Sequence, residues 1–138
     1  MPLLSEAGRD RCLYVQDMLE FCERAMHYAD GFSLDQLLQD TMRYDAILRN
    51  VELIGEAATR LGPTERALAP AVPWREIVGT RNRVAHGYLG ISPTTVWDIL
   101  SVELPALRPL LLELLARMPP SSGDPPGDMP SDSPGDSG

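Results

Sequence analysis

Apolar residues recur at alternating steps of three and four through Cys12, Val15, Leu19, Cys22, Met26 and Ala29. That spacing belongs to a helix packed lengthwise against other helices. A second run follows the same rule through Leu37, Tyr44, Leu48, Val51, Gly55 and Ala58, with Ile47 and Ile54 widening the stripe. A last run passes through Val96, Ile99, Leu100, Leu104, Leu107, Leu111 and Leu114. No period-two alternation and no internal repeat interrupts them. The expected fold is all-α, an antiparallel up-and-down bundle of four to five helices.

Punctuation between the runs sets the expected boundaries. Gly31 ends the first helix, and Ser33 caps the next, with Gln36 completing a capping box. The second helix is expected to run from about Leu34 to Leu61. Gly55 inside it costs about 1 kcal/mol relative to Ala, so close approach of another backbone is expected there. Gly62-Pro63 stops that helix, and a short turn capped by Thr64 follows. Pro73 opens a third helix anchored by Trp74 and Ile77 and ending at Gly87 or Gly90. Ser92-Pro93 opens the last, which Pro105 and Pro109 should bend. Residues 1–118 thus form one helical domain. Residues 119–138 are rich in Pro, Gly, Ser and Asp, and read as a disordered acidic tail.

Cys12 and Cys22 lie on the first seam in no metal-binding spacing, so they read as small core residues of a reduced, cytoplasmic chain. Met26 is core, and His27 lies at the boundary. No apolar run is long enough to span a membrane. The formal net charge of −8 argues against broad, non-specific nucleic-acid binding. Four of the acidic residues, Asp124, Asp128, Asp132 and Asp136, sit in the tail, and all twelve basic residues are Arg. A local basic site at Arg75, Arg81 and Arg83 therefore remains open on an acidic body.

Thr80-Arg81-Asn82-Arg83-Val84-Ala85-His86-Gly87-Tyr88 concentrates the chemistry of the chain. Arginine presents a permanent fork of donors to phosphate oxygens. Histidine changes charge near neutral pH and can act as general acid or base. An Arg five positions before a His arises by chance roughly 0.17 times in this composition, so the pair alone is weak evidence. On a continuous helix Arg81 and His86 are about 140° apart, whereas Asn82 and His86 share a face. Two routes would unite Arg and His. The helix can fray at Gly87, or two copies can meet on a two-fold axis, the His of one beside the Arg of the other.

The segment Arg81 to Tyr88 resembles the Arg-x4-His-x-Tyr signature of HepT-type toxins in the HEPN superfamily. Arg49-Asn50-Val51-Glu52-Leu53-Ile54-Gly55-Glu56-Ala57 resembles the family's R-N-…-I-G-E-A helix. Val72-Pro73-Trp74-Arg75-Glu76-Ile77-Val78-Gly79 resembles its lead-in to the motif, and Thr95-Val96-Trp97-Asp98-Ile99 the helix after it. The resemblance spans about residues 10–117. It implies an all-α homodimer and a metal-independent ribonuclease with no cofactor, acting through Arg81, Asn82 and His86 on an RNA substrate. It also implies a toxin–antitoxin pair with an MNT-domain nucleotidyltransferase (MntA-type) antitoxin, and AMP transfer to Tyr88. The acidic tail is not part of the family pattern.

Each residue also has a plainer reading. Asn82 orients His86 or binds phosphate, or it makes a helix–helix hydrogen bond. Tyr88 is the AMPylated residue, or it packs at a dimer seam. Glu56 ion-pairs with an Arg of the bundle. The alternative function is a catalytically silent HEPN module that binds a nucleotide or the nucleotidyltransferase; a scaffold dimer is a third reading. The presence of both Arg81 and His86 favours the enzyme.

Overall fold

The computed structural model describes residues 3–87 and 90–118, with side chains from Arg11 onward. The expected tail at 119–138 and Tyr88 lie outside the described residues. Among those described, every regular element is helical. Four rods make the bundle: α1 (Leu3–Ala29), α3 (Thr41–Thr59), α5 (Trp74–Ala85), and a last rod formed by α6 (Pro93–Asp98), a π-helical turn (Ile99–Glu103) and α7 (Leu104–Arg117). Two short helices, α2 (Leu34–Gln39) and α4 (Pro63–Ala67), connect them.

Side-chain bonds fix the directions. Arg43 at the start of α3 donates to the Tyr28 carbonyl near the end of α1, while Arg60 just past α3 reaches the Tyr14 hydroxyl. These helices are therefore antiparallel. Cys22 meets the Leu104 carbonyl and Arg108 meets Glu23, whereas Arg117 reaches the Leu68 carbonyl beside α4. Glu65 of α4 in turn pairs with Arg11, early in α1, so α1 and α7 are also antiparallel.

The core gathers along the expected seams: Val15, Met18, Leu19, Cys22 and Ala25 from α1, Ile47, Val51, Ile54 and Ala58 from α3, and Leu104, Leu107, Leu111 and Leu114 from α7. Met18 and Ala25 join the first seam, while Cys12, Met26 and Ala29 sit half-buried at its edge. Burial, with Glu23 alongside, pushes the Cys22 thiol up to about 11 against the pull of Arg108, which suits an inert core cysteine.

Three boundaries differ from the sequence expectation. The helix expected from Leu34 to Leu61 is broken at Asp40, where φ is −105° and ψ is 82°. Asp40 ends α2 and caps α3 by accepting from the Arg43 amide, and Arg43 is in turn held over the Phe32 ring. The turn expected to be capped by Thr64 is instead capped at Gly62, whose amide donates to the Glu65 carboxylate. Pro105 does not simply bend the last helix. The amide of Leu104 reaches back to the Ile99 carbonyl, opening a π turn just ahead of a residue that has no N–H to give. Pro109 sits inside α7.

The capping box at Ser33 and Gln36 forms as expected, as does the Ser92 cap. Gly31 turns the chain with φ of +82°. No helix among the described residues is long and apolar enough to cross a membrane.

Gly55 is where α5 meets α3. A Cβ built there would overlap Arg81 Cβ, press on Arg81 Cγ at 2.9 Å and lie 3.1 Å from the Ile77 carbonyl oxygen. Two of these three obstacles, the carbonyl and Arg81 Cβ, sit on or next to the α5 main chain, so an added methyl must push the whole helix away. Overpacking of this kind costs about 1–3 kcal/mol, against about 1 kcal/mol of gained helix propensity. Gly55→Ala is expected to lower the thermal midpoint by a few degrees in calorimetry. An unchanged or raised midpoint would mean that α3 and α5 are not held at this separation.

Candidate active site

The α5 helix starts at Trp74 after Pro73, and the indole N–H ties its start to the Ala69 carbonyl. Arg81 and Asn82 lie on its last turns. His86 is the C-cap, and Gly87 follows with φ of +103°, a left-handed conformation that glycine reaches without strain. The helix therefore ends at Ala85, and His86 stands exposed at its C-terminal edge.

The Arg81 side chain crosses to α3. Its Nε and Nη2 both donate to Glu56 Oε2, at 2.9 and 2.5 Å, and its Nη1 donates to Asn82 Oδ1 at 2.9 Å. Both partners are about one-third exposed. A guanidinium has five N–H donors in a fixed fork. Three are used here, leaving one each on Nη1 and Nη2 for an incoming ligand.

His86 is held differently. Its Nδ1 lies 2.6 Å from the Asn82 carbonyl oxygen. A carbonyl only accepts, so Nδ1 carries the proton and Nε2 is the bare nitrogen of the neutral ring. The ring is thus oriented by the main chain of Asn82, while the Asn82 side chain serves Arg81. Asn82 links the two residues, and its own amide NH2 remains exposed. Arg81 and His86 of one chain are not hydrogen-bonded to each other, in keeping with their angular offset on the helix.

The three arginines of the expected basic site have different surroundings. Arg83 donates to the Gly90 carbonyl, Arg75 stands exposed in the first turn, and Arg81 pairs with Glu56. Glu56, which the sequence marked as an ion-pair partner for an arginine of the bundle, is the partner of Arg81. Its neighbour Gly55 was the available signal, because a glycine that admits a second helix also brings the next side chain to that helix. Among the described residues no group of three or more His, Cys, Asp or Glu is placed to hold a metal ion.

Comparison with known proteins places the chain in a family. The family described as HepT-like, ribonuclease HepT-like, matches residues 18–114, a span holding Glu56, Arg81, Asn82 and His86. The chain is 31% identical over 104 residues to a candidate RNase of Caldanaerobacter subterraneus subsp. tengcongensis, covering 75% of this chain and 93% of that protein. It is 30% identical over 100 residues to a candidate RNase of Methanocaldococcus jannaschii, covering 72% and 92%. A candidate ribonuclease HepT of Thermococcus cleftensis is 27% identical over 95 residues, covering 69% and 86%. No solved structure gives a significant match. With the family match running from α1 through the Arg-x4-His segment into α7, this chain belongs to the HepT-like ribonuclease family.

Proposed function

We propose that this chain is the toxin of a type VII (HepT/MntA-type) toxin–antitoxin pair, a metal-independent endoribonuclease whose Arg81 and His86 meet across a homodimer. The observation that carries the reading is the paired anchoring of the two groups. Asn82 fixes the His86 tautomer through its carbonyl and Arg81 through its side chain, leaving a bare Nε2 and two unused guanidinium donors.

Those are the parts that transesterification needs. His86 Nε2 takes the proton of a ribose 2′-hydroxyl, and the 2′-oxygen attacks the adjacent phosphorus. Arg81 holds the phosphate and stabilises the negative charge that grows on its oxygens. The 5′-oxygen departs as a hydroxyl with the proton of the imidazolium, leaving a 2′,3′-cyclic phosphate. Both groups being side chains, no metal or cofactor is required. Because Arg81 and His86 diverge within one chain, the reading pairs Arg81 of one protomer with the imidazole of the other.

Tyr88 follows Gly87, which turns the chain out of α5. AMP transferred to its hydroxyl by an MNT-domain nucleotidyltransferase would add a phosphodiester and a purine beside the site. The new negative charge would occupy Arg81 and repel an RNA phosphate. One observation favours the second reading, a catalytically silent module binding a nucleotide or the nucleotidyltransferase: the Glu56 carboxylate already pairs with Arg81.

His86→Ala and Arg81→Ala should each lower RNA cleavage by about 10²-fold or more without unfolding the chain. Wild-type rates in both variants, or a reaction stopped by EDTA, would favour the silent module or a metal-dependent route. Glu56→Gln keeps an acceptor for Arg81 but removes the charge. It should leave the fold intact and change KM more than kcat, because it alters the competition for the guanidinium; an unchanged KM would mean that Glu56 does not influence phosphate binding. Co-expression with the cognate nucleotidyltransferase should add AMP masses in intact-mass spectrometry, absent from Tyr88→Phe. A neutralised complex with an unmodified Tyr88 would show inhibition by another route.

A further inference from the structure

A groove of about 440 Å³, counting its open mouth, runs between α1 and α3. Tyr14, Asp17 and Phe21 line it from α1, and Leu53, Glu56 and Arg60 from α3 and its end. Glu56 lines the groove and also pairs with Arg81. Its Oε2 holds Arg81, and its Oε1 has no donor among the described residues. Glu56 is thus the residue that connects the groove to Arg81.

The walls have a definite chemistry. Tyr14 and Phe21 offer half-buried ring faces. Arg60 lies against Tyr14, its guanidinium 5.7 Å from the ring centroid and one Nη1 donor on the hydroxyl. Asp17 and Glu56 Oε1 can only accept hydrogen bonds while ionised. Two carboxylates against one arginine leave the groove net acidic, which disfavours the RNA backbone. A flat, uncharged group with N–H donors on its edge suits both the rings and the acceptors.

We infer that this groove holds one unpaired base of the RNA, flanking the phosphate bound by Arg81, and prefers a base with an exocyclic amino group over uracil. The inference rests on the ribonuclease reading above. Stacking on aromatic faces supplies the affinity, and Asp17 with Glu56 Oε1 reads the amino edge. Adenine, guanine and cytosine carry that group.

The test uses the full chain and single-stranded oligoribonucleotides that differ only in the base on either side of the cut. Wild type should cut after or before an amino-bearing base about tenfold better in kcat/KM than at uracil, the scale of one charge-assisted hydrogen bond. Asp17→Asn, a near-isosteric change, should flatten that preference. Tyr14→Leu should raise KM about tenfold, the scale of one lost base stack, with kcat little changed; thermal midpoints show that both variants fold. His86-dependent cleavage with the same cut sites and the same kcat/KM in both variants overturns this inference alone. A change of oligomeric mass in light scattering, with cleavage preference intact, also overturns it, because the groove would then be a protein interface. Absence of His86-dependent cleavage overturns the ribonuclease reading and the base site together.

Discussion

The contact between α3 and α5 at Gly55 organises everything around the candidate site. It is close because Gly55 has no Cβ, and that closeness brings Glu56 to the Arg81 guanidinium. The ion pair is about one-third exposed, so it adds modest stability at most. Its consequence is geometric. A long, flexible arginine is fixed by three hydrogen bonds, and the loss of rotamer freedom is complete before any ligand arrives. In the proposed function a phosphate would meet a preset fork instead of a mobile chain.

The arrangement also explains how an acidic chain can serve RNA chemistry. The formal charge of −8 gives no general attraction for a polyanion. Recognition must come from a few placed groups. In the proposed function Arg81 is one, paired with Glu56 but with two donors left. The proposed base groove is acidic for the same reason that it is not a phosphate site. An enzyme built this way would bind flexible RNA weakly at large and select where an unpaired base and its phosphate fit together.

Much of this was legible in the residues. Helical spacing gave the bundle, and Gly31, Ser33, Ser92 and Pro93 gave boundaries where the structure has them. The break at Asp40 was not legible, because Asp40 caps α3 through Arg43, and Arg43 is positioned by Tyr28 and Phe32 of distant sequence. Glycine at position 62 capped α4 where a hydroxyl was expected, since the return bond from Glu65 suffices. At the site, the offset between Arg81 and His86 followed from helix geometry alone. What spacing could not reveal is that Asn82 acts through its main chain on one partner and its side chain on the other. Nor could it tell which arginine Glu56 would meet.

The central claim is that Arg81 of one protomer works with His86 of its partner. Heterodimers made by co-expressing differently tagged Arg81→Ala and His86→Ala chains, purified through both tags, test it directly. In such a pair one of the two shared sites has both groups intact and the other has neither. About half of wild-type RNA cleavage is expected, from two chains that are each inactive as homodimers. A heterodimer as inactive as its parents would contradict the account and place both groups at work within a single chain.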